Sequence, residues 1–452
     1  MAVVLLNDGS GHFTDVSETH SPRTANPKMV WFRKVMFVDL DRDGDLDCVQ
    51  AALTGGDKKL EDAKYFTNDG KGRFTDATTK LNLPFGDRAD VAVLDADGDG
   101  YPDLLFLNQF LTSDLQLNDR KGGFVPAKAG AFPLYAGTHQ RALTGDFDRD
   151  GDDDVIVVTY DTIPNPYLLN DGKGNFSLNA KLTYPLGNEP STAGAVADLD
   201  GDGDLDVVIG NARDDNVNRP DRILWNDGKG NFTVTDLPGL IDGFGLGRST
   251  LTIHLGDLDD DGDVDIILGY VGGNQTVPTT RIFENLDKGR FQLIAAAGFV
   301  DAHTRYQNLA DFDQDGDLDL FMTKSFGLIS PARTWINVSR QLHFREQPVL
   351  GKTLALDVYS ARARQGVVVY VGLQGTQIPV GSWGTWWIQP QTMAFVGLAS
   401  FPLQGGKQTI SLPIPNLPAL AGLDLHAQAL YVDYQTQAVR LSTLMREQIA
   451  KP

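Results

Sequence analysis

Residues 198–206 read DLDGDGDLD, and the recurrence of this pattern is the basis for the fold that we predict for the chain. Its pattern is D-x-D-x-D-G-x-x-D, with acids at positions 1, 3, 5 and 9 and a glycine at position 6. The pattern also begins, at steps of 51 to 59 residues, at Asp39, Asp95, Asp146, Asp257 and Asp311. Such regular recurrence marks a repeat architecture, in which each copy is one supersecondary unit. We refer to these six nine-residue segments as the Asp loops.

A second element, N-D-G-x-G-x-F, alternates with the Asp loops. It begins at Asn7, Asn68, Asn118, Asn170 and Asn226, with degenerate copies at Asn285 and Asn337. Asn and Gly tolerate positive φ, so this element is typical of tight hairpin turns. Short apolar runs flank both elements, such as residues 205–209 (LDVVI). Each repeat therefore reads as four antiparallel strands, which predicts the blades of an all-β β-propeller.

The charge of the chain excludes some classes of protein and divides the sequence. There are 60 Asp and Glu residues against 39 Lys and Arg residues, which gives a formal net charge of −21. This balance argues against nucleic acid as a partner, because such binding needs a positive surface. No apolar run reaches the roughly 18 residues of a transmembrane segment. Residues 1–348 carry −24 and residues 349–452 carry +3, so we expect a domain boundary near residue 348.

The C-terminal segment, residues 349–452, has a different pattern. Alternating runs separated by Gly and Pro predict a small β-sandwich of seven or eight strands. We expect its last residues, 441–450, to form a short helix. Trp383, Trp386 and Trp387 lie close together in the sequence. Core packing and an exposed platform that stacks on sugars both remain open for this tryptophan cluster.

Each Asp loop has the composition of a metal site. Carboxylates offer hard oxygen ligands, which suit Ca²⁺ and do not suit Zn²⁺. An EF-hand is excluded because position 12 is never Glu in these loops. The loops hold 31 of the 60 acids, and this packing is strongly self-repulsive without cations. We expect about six structural Ca²⁺ ions, which would change the net charge from −21 to −9 and contribute to folding.

The two alternating elements resemble the FG-GAP/VCBS repeats of integrin-α-like calcium-binding β-propellers, over about residues 1–345. The resemblance implies that each Asp loop joins the first and second strands of a blade. It also implies metal ligands from the side chains at positions 1, 3, 5 and 9 and from the backbone carbonyl at position 7. Those positions are Asp39, Asp41, Asp43, Asp45 and Asp47; Asp95, Asp97, Asp99, Tyr101 and Asp103; Asp146, Asp148, Asp150, Asp152 and Asp154; Asp198, Asp200, Asp202, Asp204 and Asp206; Asp257, Asp259, Asp261, Asp263 and Asp265; and Asp311, Asp313, Asp315, Asp317 and Asp319.

The number of blades stays open at this point. Seven hairpin elements stand against six Asp loops, and the first hairpin, at Asn7, has no Asp loop before it. We expect a seven-bladed ring whose first blade is incomplete, because the chain supplies only its third and fourth strands. A six-bladed ring with an additional N-terminal hairpin is the alternative.

A candidate ligand face lies opposite the Asp loops, where the chain leads into the first strand of each blade. Five of the six repeats place an arginine five to nine residues before the first aspartate of the loop. The candidate ligand-binding residues are Arg33, Arg88, His139, Arg141, Arg248, His303, Arg305 and Tyr306, with Trp31 beside them. Such a cluster suits a carboxylate, an acidic sugar or a phosphate. The alternative is that these arginines pair with neighbouring acids.

The expected function is binding and not catalysis. No HExxH, GxSxG or P-loop motif is present, and the obvious acids are committed to the Asp loops. Calcium loops favour an extracellular or cell-surface location, so we expect the targeting segment to be absent from this chain. The single cysteine, Cys48, agrees with a bacterial protein without disulfides. We expect a binding or adhesion module for glycan or protein ligands; the alternatives are a scaffold subunit of a surface assembly and a polysaccharide-active enzyme.

Overall fold

The computed structural model describes most of the chain. The described residues are 4–7, 13–21, 31–54, 57, 62–133, 137–161, 165–179, 189–212, 219–237, 249–258, 262–271, 280–294, 304–312, 318–324, 333–335, 342–344, 349–350, 352–360, 365–373, 375–379, 385–388, 394–401, 406–414, 416–421, 423–433, 439–441 and 445–450. Strands dominate these residues. The one α-helix among them, α1 (Ser17–His20), has four residues. The all-β prediction is therefore confirmed.

Five repeats each form a four-stranded antiparallel sheet in chain order. Repeat 1 has β3 (Trp31–Val38), β4 (Asp47–Leu53), β5 (Ala63–Asn68) and β6 (Phe74–Asp76). Repeat 2 has β7 (Arg88–Leu94), β8 (Asp103–Asn108), β9 (Asp114–Asn118) and β10 (Phe124–Pro126). Repeat 3 has β11 (His139–Gly145), β12 (Asp154–Thr159), β13 (Tyr167–Asn170) and β14 (Phe176–Leu178). Repeat 4 has β15 (Ser191–Ala197), β16 (Asp206–Asn211), β17 (Arg222–Asn226) and β18 (Phe232–Asp236). Repeat 5 has β19 (Ser249–Gly256), β20 (Asp265–Val271), β21 (Thr280–Asn285) and β22 (Phe291–Ile294).

The sixth repeat departs from this plan. Its sheet has three strands among the described residues: β23 (Thr304–Ala310), β24 (Asp319–Lys324) and β25 (Arg333–Trp335). The sequence pattern predicts a fourth strand at Phe344. This prediction is wrong, because β26 (Leu342–Phe344) pairs with the next strand of the chain, β27 (Thr353–Ser360). The degenerate element at Asn337 lacks the Asn-Asp-Gly turn that would fold β26 back onto β25.

The C-terminal segment forms sheets with a core of its own. The remaining strands are β28 (Gln365–Gly372), β29 (Gly375–Pro379), β30 (Thr385–Ile388), β31 (Ala394–Phe401), β32 (Gly406–Pro413), β33 (Asp424–Asp433), β34 (Val439–Leu441) and β35 (Met445–Gln448). One sheet has the order β26-β27-β32, and another has the order β31-β28-β33-β34 with β35 also on β33. Leu354, Leu356, Val369 and Leu425 are buried together there. The helix predicted at residues 441–450 is wrong, because β35 pairs with β33.

The sheets of the repeats stack face to face in chain order. In β8, Leu104 and Phe106 belong to a buried cluster with repeat 1, whereas Leu105 and Leu107 belong to a cluster with repeat 3. Successive side chains of a strand point to opposite faces, so both faces of this sheet are covered. Equivalent clusters join repeats 3 and 4, repeats 4 and 5, and repeats 5 and 6. This stacking is the packing of propeller blades.

A recurrent hydrogen bond links each sheet to the preceding one. The Nδ2 of the hairpin asparagine donates to the backbone carbonyl at position 2 of the preceding Asp loop. The pairs are Asn118 with Leu40, Asn170 with Ala96, Asn226 with Phe147, and Asn285 with Leu199, at 2.8 to 3.1 Å. Each of these bonds therefore joins a hairpin to the Asp loop of the preceding repeat.

The N-terminal hairpin makes the same bond to the last repeat. This hairpin comprises β1 (Leu5–Asn7) and β2 (Phe13–Asp15). Asn7 Nδ2 lies 2.6 Å from the carbonyl oxygen of Phe312, which is position 2 of the sixth Asp loop. The rings of Phe13 and Phe312 pack edge to face, with centroids 5.6 Å apart. On its other side, Leu6 lies beside Gly72 of repeat 1. The hairpin therefore lies between repeat 6 and repeat 1.

Candidate functional site

The backbone of each Asp loop curls around its own carboxylates. In repeat 3, the N–H groups of Asp150 and Gly151 each donate to Asp146 at 3.1 Å, and the N–H of Asp152 donates to Asp150 at 3.1 Å. Gly151 has φ +98°, a conformation that L side chains rarely adopt. The glycines at the same position in four other loops share this conformation: Gly44, Gly100, Gly203 and Gly262. The glycine of the pattern is therefore required by backbone geometry.

The aspartate at position 9 fixes the loop to the sheet. Asp154 is buried; its Oδ1 accepts the N–H of Asn170 at 2.9 Å and its Oδ2 accepts the hydroxyl of Tyr167 at 2.8 Å. Asp103 and Asp206 accept two backbone N–H groups in the same way. Burial raises the pKa of Asp103, Asp154 and Asp206 to about 7. A nearby cation would restore the charged form of these carboxyls.

Four of the loops bring carboxylates together closely enough to hold one ion. The ligand atoms of each group lie within 4.8 Å of one another. The groups are Asp39, Asp41 and Asp43; Asp95, Asp97 and Asp99; Asp146, Asp148 and Asp150; and Asp198, Asp200 and Asp206. Burial, and then repulsion from neighbouring acids, raises the pKa of Asp97, Asp148 and Asp200. Positions 1, 3 and 5 thus converge in repeats 1 to 3, whereas position 9 joins positions 1 and 3 in repeat 4.

Buried oxygens within these groups test whether a metal fits. The Oδ1 atoms of Asp39, Asp41, Asp97 and Asp148 are buried and have no hydrogen-bond partner. Buried charges without partners are costly, so these oxygens need a cation. An all-oxygen set on a flexible loop fits Ca²⁺. Residues 259–261 and 313–317 lie outside the described residues, so the predicted ligands Asp259, Asp261, Asp313, Asp315 and Asp317 are not placed; the carbonyl ligands at position 7 remain a prediction.

Neighbouring Asp loops also contact each other. Arg42, at position 4 of the first loop, lies over the ring of Tyr101, at position 7 of the second, 4.2 Å from its centroid. Arg149 forms an ion pair with Asp204, which repeats the same position 4 to position 7 contact between repeats 3 and 4. In both of these pairs of adjacent repeats, an arginine of one Asp loop therefore contacts the next Asp loop.

The candidate ligand face divides at a β-bulge in the first strand of every repeat. In all six first strands, pairing skips the residue six positions before the Asp loop. Residues seven positions before the loop are buried in repeats 2 to 5: Arg88, His139, Ser191 and Thr250. Because a bulge changes which side chains face outward, residues of similar spacing end on different sides of the strand.

Two of the predicted ligand-binding residues therefore have structural partners. Arg88 is fully buried and forms ion pairs with Asp62 at 3.2 Å and with Asp114 at 2.8 Å. His139 is 1% exposed, and its Nδ1 lies 3.1 Å from the carbonyl oxygen of Asn108. Burial lowers the pKa of His139, so the ring is neutral near pH 7. Neither side chain is available to a ligand in solvent.

Two other predicted residues, Arg33 and Arg141, line a cavity of about 470 Å³. Its walls come from β3, β11, β15, β19 and β23, the first strands of five repeats. Arg33 donates to the side-chain oxygen of Gln140 at 2.7 Å, and Arg141 donates to the backbone carbonyl of Gln140 at 2.8 Å. We name this space the inner cavity. Arg248 and His303 lie outside the described residues, and only the backbone of Trp31, Arg305 and Tyr306 is described.

His254 also lines the inner cavity, and no sequence motif pointed to it. It lies on β19, three residues before an Asp loop. Burial, together with the positive charge of Arg141, lowers the pKa of His254 to about 4, although a hydrogen bond to the Gln307 backbone opposes this shift. Its Nε2 is buried without a hydrogen-bond partner. A search for polar residues at equivalent positions of all first strands would have found it.

Sheets stacked in chain order, each with an Asp loop between its first two strands, define a β-propeller of acidic-loop repeats. The family model described as the FG-GAP-like repeat matches residues 51–106, 146–209 and 198–268. FG-GAP-like repeats are therefore detected in three segments of the chain, which confirms the resemblance seen in the sequence.

Two curated relatives extend over most of the chain. Cartilage acidic protein 1 of Xenopus tropicalis is 26% identical over 364 residues, 73% of this chain and 54% of that protein. The Mus musculus protein of the same name is 26% identical over 350 residues, 68% of this chain and 51% of that protein. The chain therefore spans about half the length of the curated relatives it matches.

Solved structures resemble the chain only weakly. An exo-β-1,3-galactanase of Phanerochaete chrysosporium, solved with β-1,3-galactotriose, has a TM-score of 0.38 and 7% identity, covering 99% of this chain and all of that one. A likeness at this level says nothing about the function of this chain. In the described part of the chain, no helix combines the length and apolar character that a membrane crossing requires.

Proposed function

We propose that the protein is a calcium-stabilised β-propeller that acts outside the cell as a binding or adhesion module for an acidic glycan or protein ligand. The observation that carries the proposal is a separation of charge. Acids converge in the Asp loops, whereas the lining of the inner cavity, as far as its residues are described, includes Arg33, Lys34 and Arg141 and no Asp or Glu. Within a chain of net charge −21, a cavity of this kind favours acidic ligands.

Calcium would bind in the Asp loops through positions 1, 3, 5 and 9. The buried, partnerless oxygens of Asp39, Asp41, Asp97 and Asp148 support this assignment. Extracellular modules commonly bind calcium at the millimolar level, and a protein with several such loops suits that environment. The names of the two relatives describe acidic proteins, and this chain shares that character.

A ring with seven positions would place the N-terminal hairpin as the outer half of one blade. The bond from Asn7 to Phe312 and the contact of Leu6 with repeat 1 support this arrangement. Val35 and Phe37 of β3 are 46% and 57% exposed, whereas Val91, at the position equivalent to Val35 in repeat 2, is fully buried. This difference is expected where the neighbouring blade covers repeat 1 only in part. The boundary at residue 348 and the β-sandwich that follows it belong to the same proposal.

A binding role, and not catalysis, fits the chemistry of the inner cavity. Glycoside hydrolases act through a pair of carboxylates that flank the scissile bond. Among the described residues the cavity wall supplies cations, amides and apolar groups. These groups can hold an anion, whereas a carboxylate acid–base pair would have to come from elsewhere.

The experiment combines a calcium titration with a binding screen. We expect calorimetry to show saturable calcium binding, and a chelator to lower the melting temperature of the protein. The calcium-loaded protein should then bind uronic-acid polymers such as alginate or hyaluronan and leave neutral dextran unbound. Asp200→Asn should weaken calcium binding, whereas Asp227→Asn, at an exposed hairpin turn, serves as the control. A melting temperature that the chelator does not change would refute the calcium proposal, and a folded protein that binds no acidic polymer or protein would refute the binding role.

A further inference from the structure

The inner cavity holds two guanidinium groups that one residue ties together. The side-chain oxygen of Gln140 accepts a hydrogen bond from Arg33 at 2.7 Å, and its backbone carbonyl accepts one from Arg141 at 2.8 Å. Gln140 is the residue that the bulge of β11 leaves out of the pairing register. Because of the bulge, the side-chain oxygen of Gln140 faces Arg33 and its backbone carbonyl faces Arg141.

Lys34, another cation of the cavity, is paired with an acid. Lys34 lies 3.4 Å from Asp90, whose side chain is fully buried and which also accepts the N–H of Ala142 at 2.9 Å. Among the described residues, the contact recorded for the Arg141 guanidinium is the Gln140 carbonyl, and no acid pairs with it. Arg141 thus keeps donors free for a ligand, in the fork geometry that matches a carboxylate.

His254 supplies an acceptor in the same cavity. Its ring bonds the Gln307 backbone through one nitrogen, and its Nε2 is buried without a partner. A neutral imidazole that donates through one nitrogen accepts through the other. A buried acceptor without a partner is costly, so the site favours a ligand that brings a hydroxyl donor.

The rest of the wall includes Thr252, Gln307 and Asn308 and several apolar side chains, and together they set the size of the ligand. Leu143, Ala193, Leu251 and Ile253 line the cavity together with Gly194. A volume of about 470 Å³ lies within the range of small-molecule sites, so one sugar-sized ring fits and a folded protein segment does not. The groups required of the ligand are one carboxylate, at least one hydroxyl and a compact body.

We propose that the inner cavity is a binding site for a hydroxy carboxylate of the uronic-acid type, with the carboxylate on Arg141 and Arg33 and a hydroxyl donating to His254 Nε2. The inference rests on the proposed binding function and names the chemical class of its ligand. The same chemistry is present in a free sugar acid and at the terminal residue of an acidic polysaccharide. The experiment distinguishes these two sources.

The test is a calorimetric titration of the calcium-loaded protein with D-glucuronate. We expect saturable binding with one ligand per chain and no binding of its methyl ester, which lacks the charge. Arg141→Gln should weaken binding by about 10- to 100-fold, as expected for the loss of a charge-assisted contact. Arg141→Lys should give an intermediate loss, and Arg290→Gln, at an exposed hairpin turn, should bind as the wild type does. A melting curve for each variant shows that the protein is folded.

A second comparison tests the role of His254. His254→Phe should weaken glucuronate binding several-fold and leave the binding of cyclohexanecarboxylate, which has no hydroxyl, unchanged. An equal loss for both ligands would overturn the assignment of the hydroxyl contact. Absence of glucuronate binding in the folded wild type, or equal binding by Arg141→Gln, would overturn the site itself.

Polymer binding separates this inference from the proposed function. If alginate binds the wild type and Arg141→Gln equally and free glucuronate does not bind, the protein binds acidic ligands at another surface; the inference then fails while the proposed function stands. If alginate binding is abolished in Arg141→Gln and free glucuronate competes with it, the chain terminus occupies the cavity. If glucuronate binds but does not compete with alginate, the ligand of the cavity is the free acid.

Discussion

The bond from each hairpin asparagine to the preceding Asp loop should carry a measurable part of the coupling between repeats. Asn226 and Asn68 form a matched pair for measuring it, because both begin an NDGKG turn. Asn226 Nδ2 donates to Phe147 of the preceding repeat at 2.8 Å and to Leu205 of its own repeat at 3.2 Å. Asn68 Nδ2 donates to Leu46 of its own repeat at 3.0 Å, and no bond to a preceding Asp loop is recorded for it.

The expected magnitudes follow from counting these bonds. Asn226→Ala removes two donated bonds at about 1 kcal/mol each, and Asn68→Ala removes one. Both asparagines donate their N–H to the position 9 aspartate and accept the next N–H at Oδ1, so these bonds cancel in the comparison. Asn68 Oδ1 also accepts the N–H of Gly72 at 3.1 Å; Gly72 is only partly buried, so water can take the place of that acceptor. The Phe147 carbonyl keeps the N–H of Gly230 at 3.0 Å, so no buried acceptor is left without a partner. Asn226→Ala should therefore lower the free energy of unfolding more than Asn68→Ala does, by up to about 1 kcal/mol.

The assay is urea unfolding of both variants and the wild type in excess calcium, followed by circular dichroism and by intrinsic fluorescence. Agreement of the two probes is required before a single free energy is assigned. Asn7→Ala provides a third measurement, because Asn7 bonds to Phe312 as Asn226 bonds to Phe147. Its loss should resemble that of Asn226→Ala if the N-terminal hairpin closes the ring. Equal losses for Asn226→Ala and Asn68→Ala would refute the reasoning.

Three further predictions concern the loops and the core. The pKa values of Asp103, Asp154 and Asp206 are about 7 in the folded protein and lower in the unfolded chain, so the metal-free protein should lose stability as the pH rises from 4 to 7. Calcium should remove this loss of stability. Urea unfolding at pH 5 and pH 8 measures the loss, and a metal-free protein that is more stable at pH 8 contradicts the prediction. Gly151→Ala should destabilise the protein by about 1 to 3 kcal/mol and weaken calcium binding. Gly130→Ala, also at positive φ but in a turn outside the Asp loops, should lower stability and leave calcium binding unchanged. Calorimetry measures the calcium affinity of both variants, and equal affinities would count against the loop geometry. Burial raises the pKa of Cys48 to about 11, so the thiol should react with an aromatic disulfide reagent only on unfolding, and rapid labelling of the folded protein would contradict its burial.

The Asp loops could be predicted from sequence because their geometry is local. In repeat 3 the bonds that shape the loop join residues two to five positions apart, and the positive φ of Gly151 is required by the same short segment. The pattern D-x-D-x-D-G-x-x-D therefore contains nearly all the information that the loop needs. The strands on either side follow from the same pattern, because the loop ends in an aspartate that begins the second strand.

The ligand face could not be predicted to the same extent, because it depends on a β-bulge that no residue type in the sequence indicates. Arg88, Arg33 and Arg141 stand seven, six and five residues before their Asp loops, and the sequence treats them as equivalent. The bulge lies at the sixth position, so Arg88 is buried within its sheet while Arg33 and Arg141 line the inner cavity. A shift of one residue along a strand moves a side chain to the other face. His254 could not be selected from the sequence either, because its place in the inner cavity depends on neighbours from other repeats.

The separation of acids from cations also limits how calcium can act on ligand binding. The Asp loops begin where the first strands end, and Arg141 lies five residues before its loop, so about 16 Å of strand separates them at 3.3 Å per residue. Calcium in the loop therefore cannot coordinate a ligand held by Arg141. Its influence must pass through the sheets, because the loops set the ends of the strands whose middles line the cavity. Binding in the cavity should then require calcium only to the extent that the fold does. If calcium and an acidic ligand bind as proposed, the negative charge of the loops holds a structural cation, and the positive charge of the cavity holds an anionic ligand.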